Sequence, residues 1–326
     1  MILGHQKQWQ FLKKSVELGK LSHAYLFCGE EGVGKEKLAL EFAKLVNCEN
    51  KDFKIRPCQK CRSCVEIQKG ICPDVSLIKP QSKEIQISQI RDLKEKFSLK
   101  SYSSLFKVAI LDQAHCMGRE AQSAFLKLLE EPKGKTIFIL LTPFPEMLLP
   151  TIISRVQRIR LHSLNFKEIE KYLKEQGVPE IKAQEISLLS GGRPGRAIDL
   201  YLDSKKLEKQ NRYTKELVKL CSSSLGFRFK WIKNLNYDFS ELKEILEIWL
   251  RYFRNILLLR INSNFYEHQF DKCERNQISG DIYLQLPQYS LLKIKKILKL
   301  ILSLNFLISS TNINPKLALE ILMIEL

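Results

Sequence analysis

The stretch Gly29-Glu30-Glu31-Gly32-Val33-Gly34-Lys35-Glu36 follows the apolar run Ala24-Tyr25-Leu26-Phe27-Cys28 and leads into a helical pattern. A buried strand, a glycine turn and a helix start, in that order, leave few folds open. They specify an α/β layer whose strand ends present backbone N–H groups to phosphate. The turn nearly matches G-x-x-x-x-G-K-[ST]. Gly29, Gly34 and Lys35 stand where the pattern requires them, but Glu36 takes the place of the hydroxyl that holds Mg²⁺. Lys35 can still attract phosphate, whereas Glu36 sets a negative charge where nucleotide oxygens would sit. ATP binding by this chain is therefore in doubt.

Further strands are expected at 75–78, 107–111, 136–141 and 156–161. Amphipathic helices fall between them, at 36–46, from Ile87 to Phe97, and at 121–130, the last stopping before Pro132. Strands separated by helices imply parallel pairing. After about residue 162 the strand pattern fades. Residues 165–175 and 180–189 read as helices, and GGRPGR (191–196) opens a third. From about 206 onward the pattern is helical, with Leu242, Ile245, Leu246, Trp249, Phe253 and Ile256 on one side of 241–260. Residues 261–280 are the most polar, loop-like part of that half.

A second motif, KVAILDQAHCM (107–117), ends an apolar strand in Asp112, which suits an Mg²⁺-directed carboxylate. Gln113 stands where ring ATPases place the Glu that activates water. An amide orients a water but cannot take its proton. Glu36 and Gln113 thus both point away from hydrolysis.

Five of the nine cysteines lie between Cys48 and Cys72. In a reducing compartment such clustering indicates metal, and four thiolates with C-x2-C spacing suit tetrahedral Zn²⁺. Cys48, Cys58, Cys61, Cys64 and Cys72 compete for four places; Cys28 and Cys116, beside strand ends, read as core thiols. A closed all-Cys site is structural and implies no metal chemistry. No run reaches the roughly 18 apolar residues of a membrane span, and the first ten residues lack a secretory apolar stretch. A cytoplasmic, soluble protein is expected. The net charge of +17 suits a polyanionic partner or a generally basic proteome.

Several segments, LSHAYLFCGEEGVGK, AQSAFLKLLEEP, LLTPFPEMLLPTIISR, GGRPGRA and NINPKLALE, together resemble the bacterial DNA polymerase III clamp-loader family, in one order along the whole chain. The resemblance implies an AAA+ module at 1–161 carrying a zinc segment at 48–72. It also implies a small helical lid at 162–205 and a helical collar at 206–326 that joins a hetero-pentameric ring with gamma/tau and delta subunits. That ring loads the sliding clamp onto primed DNA. It further implies Cys48, Cys58, Cys61 and Cys64 as the zinc ligands, leaving Cys72 spare. Ser154-Arg155-Val156 resembles the family's Ser-Arg-Cys motif, so Arg155 is expected to act as an arginine finger in a neighbour's site. Thr142 and Arg196 fall at the family's sensor positions. Length, altered nucleotide motifs and ending resemble the delta-prime type, a stator without intrinsic ATPase activity; the alternative is an active gamma/tau-type ATPase.

Overall fold

The computed structural model describes residues 3–81, 84–102, 104–234, 239–261, 289–310 and 315–326. Most of the polar 261–280 stretch, and Asn312–Asn314 of the final motif, lie outside these. The described residues divide into two compact units. One runs to Tyr172 and includes Gly192–Arg196; the other comprises Leu173–Gly191 and Ala197–Leu326.

The first unit is built on a five-stranded sheet: β1 (Ala24–Cys28), β2 (Val75–Ile78), β3 (Lys107–Leu111), β4 (Thr136–Thr142) and β5 (Gln157–Arg160). Their order is β2-β3-β4-β1-β5, every pair parallel. All five strands fall within a residue of the expected positions, although β5, Gln-Arg-Ile-Arg, is polar and buries only Ile159. β1, β3 and β4 are buried on both faces, so they read as continuous hydrophobic runs instead of alternating ones. Side-chain alternation splits the core in two. Tyr25 and Phe27 pack with Leu38 and Phe42 of α2 (Lys35–Asn47) and Leu12 of α1 (Gln6–Glu17). On the other face Leu26 and Phe138 pack with Leu93 of α4 (Ile87–Ser98) and Phe125 of α5 (Arg119–Glu130), beside the short α6 (Pro150–Ile153).

Besides the single-turn α6, two helices of this unit escape the sequence pattern. α1 is polar and buries only Leu12 and Ser15, and its N-cap, His5, makes no side-chain cap. α3 (Arg62–Lys69) has a cysteine cap, the Cys61 sulfur accepting from the Cys64 N–H, where a Ser or Asp would have announced a helix start.

The second unit is helical. Its core joins Tyr213, Leu217, Trp249, Phe253, Ile297 and Leu322 from helices Ser204–Ser222, Phe239–Ile261, Leu291–Ser310 and Pro315–Glu325. Arg228, buried in helix Leu225–Lys233, donates to the carbonyls of Leu220, Cys221 and Met323 at 2.9–3.2 Å and ties three segments together. Among the described residues no helix is long and apolar enough to cross a membrane.

Candidate functional site

The glycine turn sits at the carboxyl end of β1, between β4 and β5. The Gly29 N–H donates to the Thr142 carbonyl at 3.2 Å, and a Cβ on Gly29 would lie 2.5 Å from the Leu161 carbonyl oxygen, so no larger residue fits. Gly34, at φ 97, adopts the left-handed turn that starts α2. The loop is clasped by neighbours in its own unit. His5 Nε2 meets the Val33 carbonyl at 2.9 Å, the Gly195 N–H donates to the Gly32 carbonyl at 2.8 Å, and Arg193 lies 3.6 Å from Glu30. Arg196 packs its Cβ beside Gly32.

The two charged residues of the loop are both engaged with protein groups. Lys35 is buried, and its ammonium donates to the carbonyls of Gly29 at 2.6 Å and Glu30 at 2.8 Å. Burial pulls its pKa down, opposed by the charges of Glu31 and Asp112. Glu36 receives both carboxylate contacts, 3.0 and 3.1 Å, from the ammonium of Lys79, the residue that follows β2. The Asp112 N–H bonds the Ile78 carbonyl, which sets Asp112 beside that pair at the end of β3. Burial raises the Asp112 carboxyl pKa, and the charge of Glu36 adds to the rise. Gln113, in a left-handed conformation, turns its amide oxygen to the Cys116 thiol, 3.8 Å away. Thr142 is fully buried; its hydroxyl accepts from the Phe144 N–H and contacts His115 Nδ1 at 3.3 Å.

A separate cluster forms where α2 ends. The sulfurs of Cys48, Cys58, Cys61 and Cys64 all lie within 4.8 Å of one another. Cys48 is the C-cap of α2 and Cys64 lies in α3, with the intervening loop bringing in Cys58 and Cys61. Backbone N–H groups of Cys58, Cys61 and Cys64 point at the preceding cysteine's sulfur at 3.3–3.4 Å. Backbone N–H groups of Lys60 and Cys61 bring the Cys58 thiol down to about 6, while burial pushes Cys48 and Cys64 up. Behind the cluster, buried Lys44 bonds Glu41, Gln59 and Gln68, and Gln59 bonds Glu41 in turn. Cys72 stands apart, buried against the Ser104 hydroxyl at 3.6 Å. Cys28 is buried and Cys116 half-buried.

Arg155 follows α6 and is exposed, with no contact to the glycine loop among its described partners. It binds the Thr151 carbonyl at 3.1 Å and Glu130 at 3.0 Å. Lys79, His5 and Glu130 were not visible as site residues in the sequence. The unusual carboxylate at position eight was the one clue that a cation such as Lys79 should face it. Gln122 is another: its buried amide spans the carbonyls of Met117 and Met147 and the N–H of Leu149.

A parallel sheet with a glycine loop at the end of an interior strand, a lysine at the following helix start and an aspartate at the end of another interior strand defines an AAA+ type P-loop module. A family model described as "DNA polymerase III, delta subunit" matches residues 4–165. The chain is 32% identical to DNA polymerase III subunit delta' of Bacillus subtilis over 86% of its own length and 83% of that protein. It is 30% identical to the tau subunit of the same organism, over 91% of this chain and 56% of tau. In fold it is similar to a gamma-subunit-related protein of Thermotoga maritima, with a TM-score of 0.50 at 20% identity over 97% of both chains. The chain belongs to the clamp-loader subunit family of bacterial DNA polymerase III.

Proposed function

We propose that this chain is the delta-prime-type member of its clamp loader, a subunit that does not hydrolyse ATP itself and lends Arg155 to a neighbour's ATP site. The observation that carries the reading is the pair Glu36–Lys79. It puts a carboxylate and its cation where a P-loop module gathers hydroxyl and Mg²⁺, and Lys35 meanwhile bonds its own loop carbonyls. Gln113 adds the loss of a general base. The similarity to delta' and tau subunits supports membership of a complex with other clamp-loader subunits; on this reading that complex is a cytoplasmic hetero-pentameric ring with gamma/tau and delta subunits, acting on the sliding clamp and primed DNA. On this reading residues 1–161 form the AAA+ module, 162–205 a lid carrying Arg196, and 206–326 a collar. Thr142 and Arg196 keep sensor positions beside a silent site. Basic residues facing the ring's interior hold DNA phosphates without reading sequence.

The four-cysteine cluster is proposed as a structural zinc site. Zn–S bonds of about 2.3 Å set tetrahedral sulfurs about 3.8 Å apart, which suits the observed grouping and its all-thiol donor set. Bound zinc would fasten the loop between α2 and α3, with Lys44, Glu41 and Gln59 bracing it from behind.

The rival reading, an active gamma/tau-type ATPase, draws on the intact Gly29, Gly34, Lys35 and Asp112. Steady-state ATP turnover by the purified chain, with primed DNA added, separates the two. Turnover is expected to equal that of a Lys35→Ala control, and hydrolysis that depends on Lys35 would establish the motor instead.

A further inference from the structure

Arg155 is a held side chain. Its Nη1 donates to the Thr151 carbonyl at 3.1 Å and reaches Ser154 Oγ at 3.5 Å, while Nη2 meets Glu130 Oε1 at 3.0 Å. The guanidinium therefore bridges α6 and the last residue of α5. Both anchors are fixed by the chain. Glu131 leaves helical geometry before Pro132, which ends α5 at Glu130, and Pro150 opens α6.

Glu130 is badly placed for helix stability. A carboxylate in the last turn faces the negative end of the helix dipole. Nor does the ion pair add much to folding, because both side chains are about half exposed and such pairs are weak. What the pair does is select one orientation of a long, flexible side chain. A group that must meet developing charge across a subunit boundary acts best when that orientation is set beforehand.

We propose that Glu130 is the positioning residue for Arg155: it fixes the guanidinium at the edge of the module so that the arginine meets a neighbour's site already aimed. The inference rests on the finger role proposed above. Glu130 itself touches no nucleotide and acts only through Arg155.

The test uses the reconstituted clamp loader carrying, in this subunit, Glu130→Gln, Glu130→Asp, Arg155→Ala or the Glu130→Gln/Arg155→Ala pair. Gln removes the charge, and Asp keeps it one methylene too short. Thermal unfolding and assembly are checked for each. Both Glu130 variants are expected to lower kcat for ATP about three-fold, the scale of one exposed ion pair, with KM for ATP unchanged. Arg155→Ala should lower it further, and the double variant should match Arg155→Ala alone. If Arg155→Ala has no effect, the finger reading fails and this inference with it. If Arg155→Ala lowers kcat but the Glu130 variants do not, or lower it equally in the Arg155→Ala background, positioning is overturned while the finger stands. A higher rate in Glu130→Gln would make the contact a restraint and likewise overturn the proposal.

Discussion

Single side chains decide how the glycine loop is held. His5 is buried against the Val33 carbonyl, and burial lowers its pKa below the ordinary 6.5; nearby His162 lowers it further, while the carbonyl and Glu168 oppose the shift. A folded-state pKa below the unfolded value means that protons favour the unfolded chain. His5 therefore supports the fold fully above the ordinary histidine pKa, and that support is lost as pH falls through the folded value. His5→Gln keeps an N–H donor but cannot titrate. Its melting temperature should fall less than wild type's between about pH 7 and about pH 5; thermal scans with parallel slopes would reject this role. The sequence displayed Lys35 and Glu36 plainly but hid what they touch. Lys79 lies 43 residues from Glu36, and the two meet only once the sheet and the helix after β1 are assembled.

At the level of elements, legibility follows burial. β1, β3 and β4 were readable because both faces are apolar, and α2 and α5 because their large apolar residues recur at helical spacing. α1 and α3 were not, since one is mostly polar and the other starts from a sulfur cap that doubles as a candidate metal ligand. The cysteine cluster joins α2, the loop and α3, and its members were resolved only in part by spacing: C-x2-C-x2-C stands out, whereas Cys48 and Cys72 looked interchangeable. The fold separates them, Cys48 capping α2 within reach of the others and Cys72 bonding Ser104. Metal analysis should find one zinc per chain. Cys48→Ser should lose it together with thermal stability, because metal binding and folding of such loops are coupled, while Cys72→Ser should retain it. Zinc lost from Cys72→Ser and kept in Cys48→Ser would reverse the ligand assignment.

Over the whole molecule, an α/β unit carrying Glu36 and Gln113 in its P-loop-type motifs accompanies a helical unit whose core is built from helices alone. The order of motifs conveyed that architecture well. It conveyed less of what the site does, because activity depends on which charges meet, and those meetings are long-range. On the proposed reading this subunit gives an arginine to a neighbour while its own loop stays silent. ATP turnover of the reconstituted clamp loader, carrying either Lys35→Ala or Arg155→Ala in this subunit with assembly verified, tests it most directly. Arginine fingers contribute about 10³–10⁵ in rate at a single site, and one site of several is affected, so the loss seen in the whole complex should be smaller. The prediction is undiminished turnover with Lys35→Ala and clearly reduced turnover with Arg155→Ala. Reduced turnover with Lys35→Ala and full turnover with Arg155→Ala would contradict it.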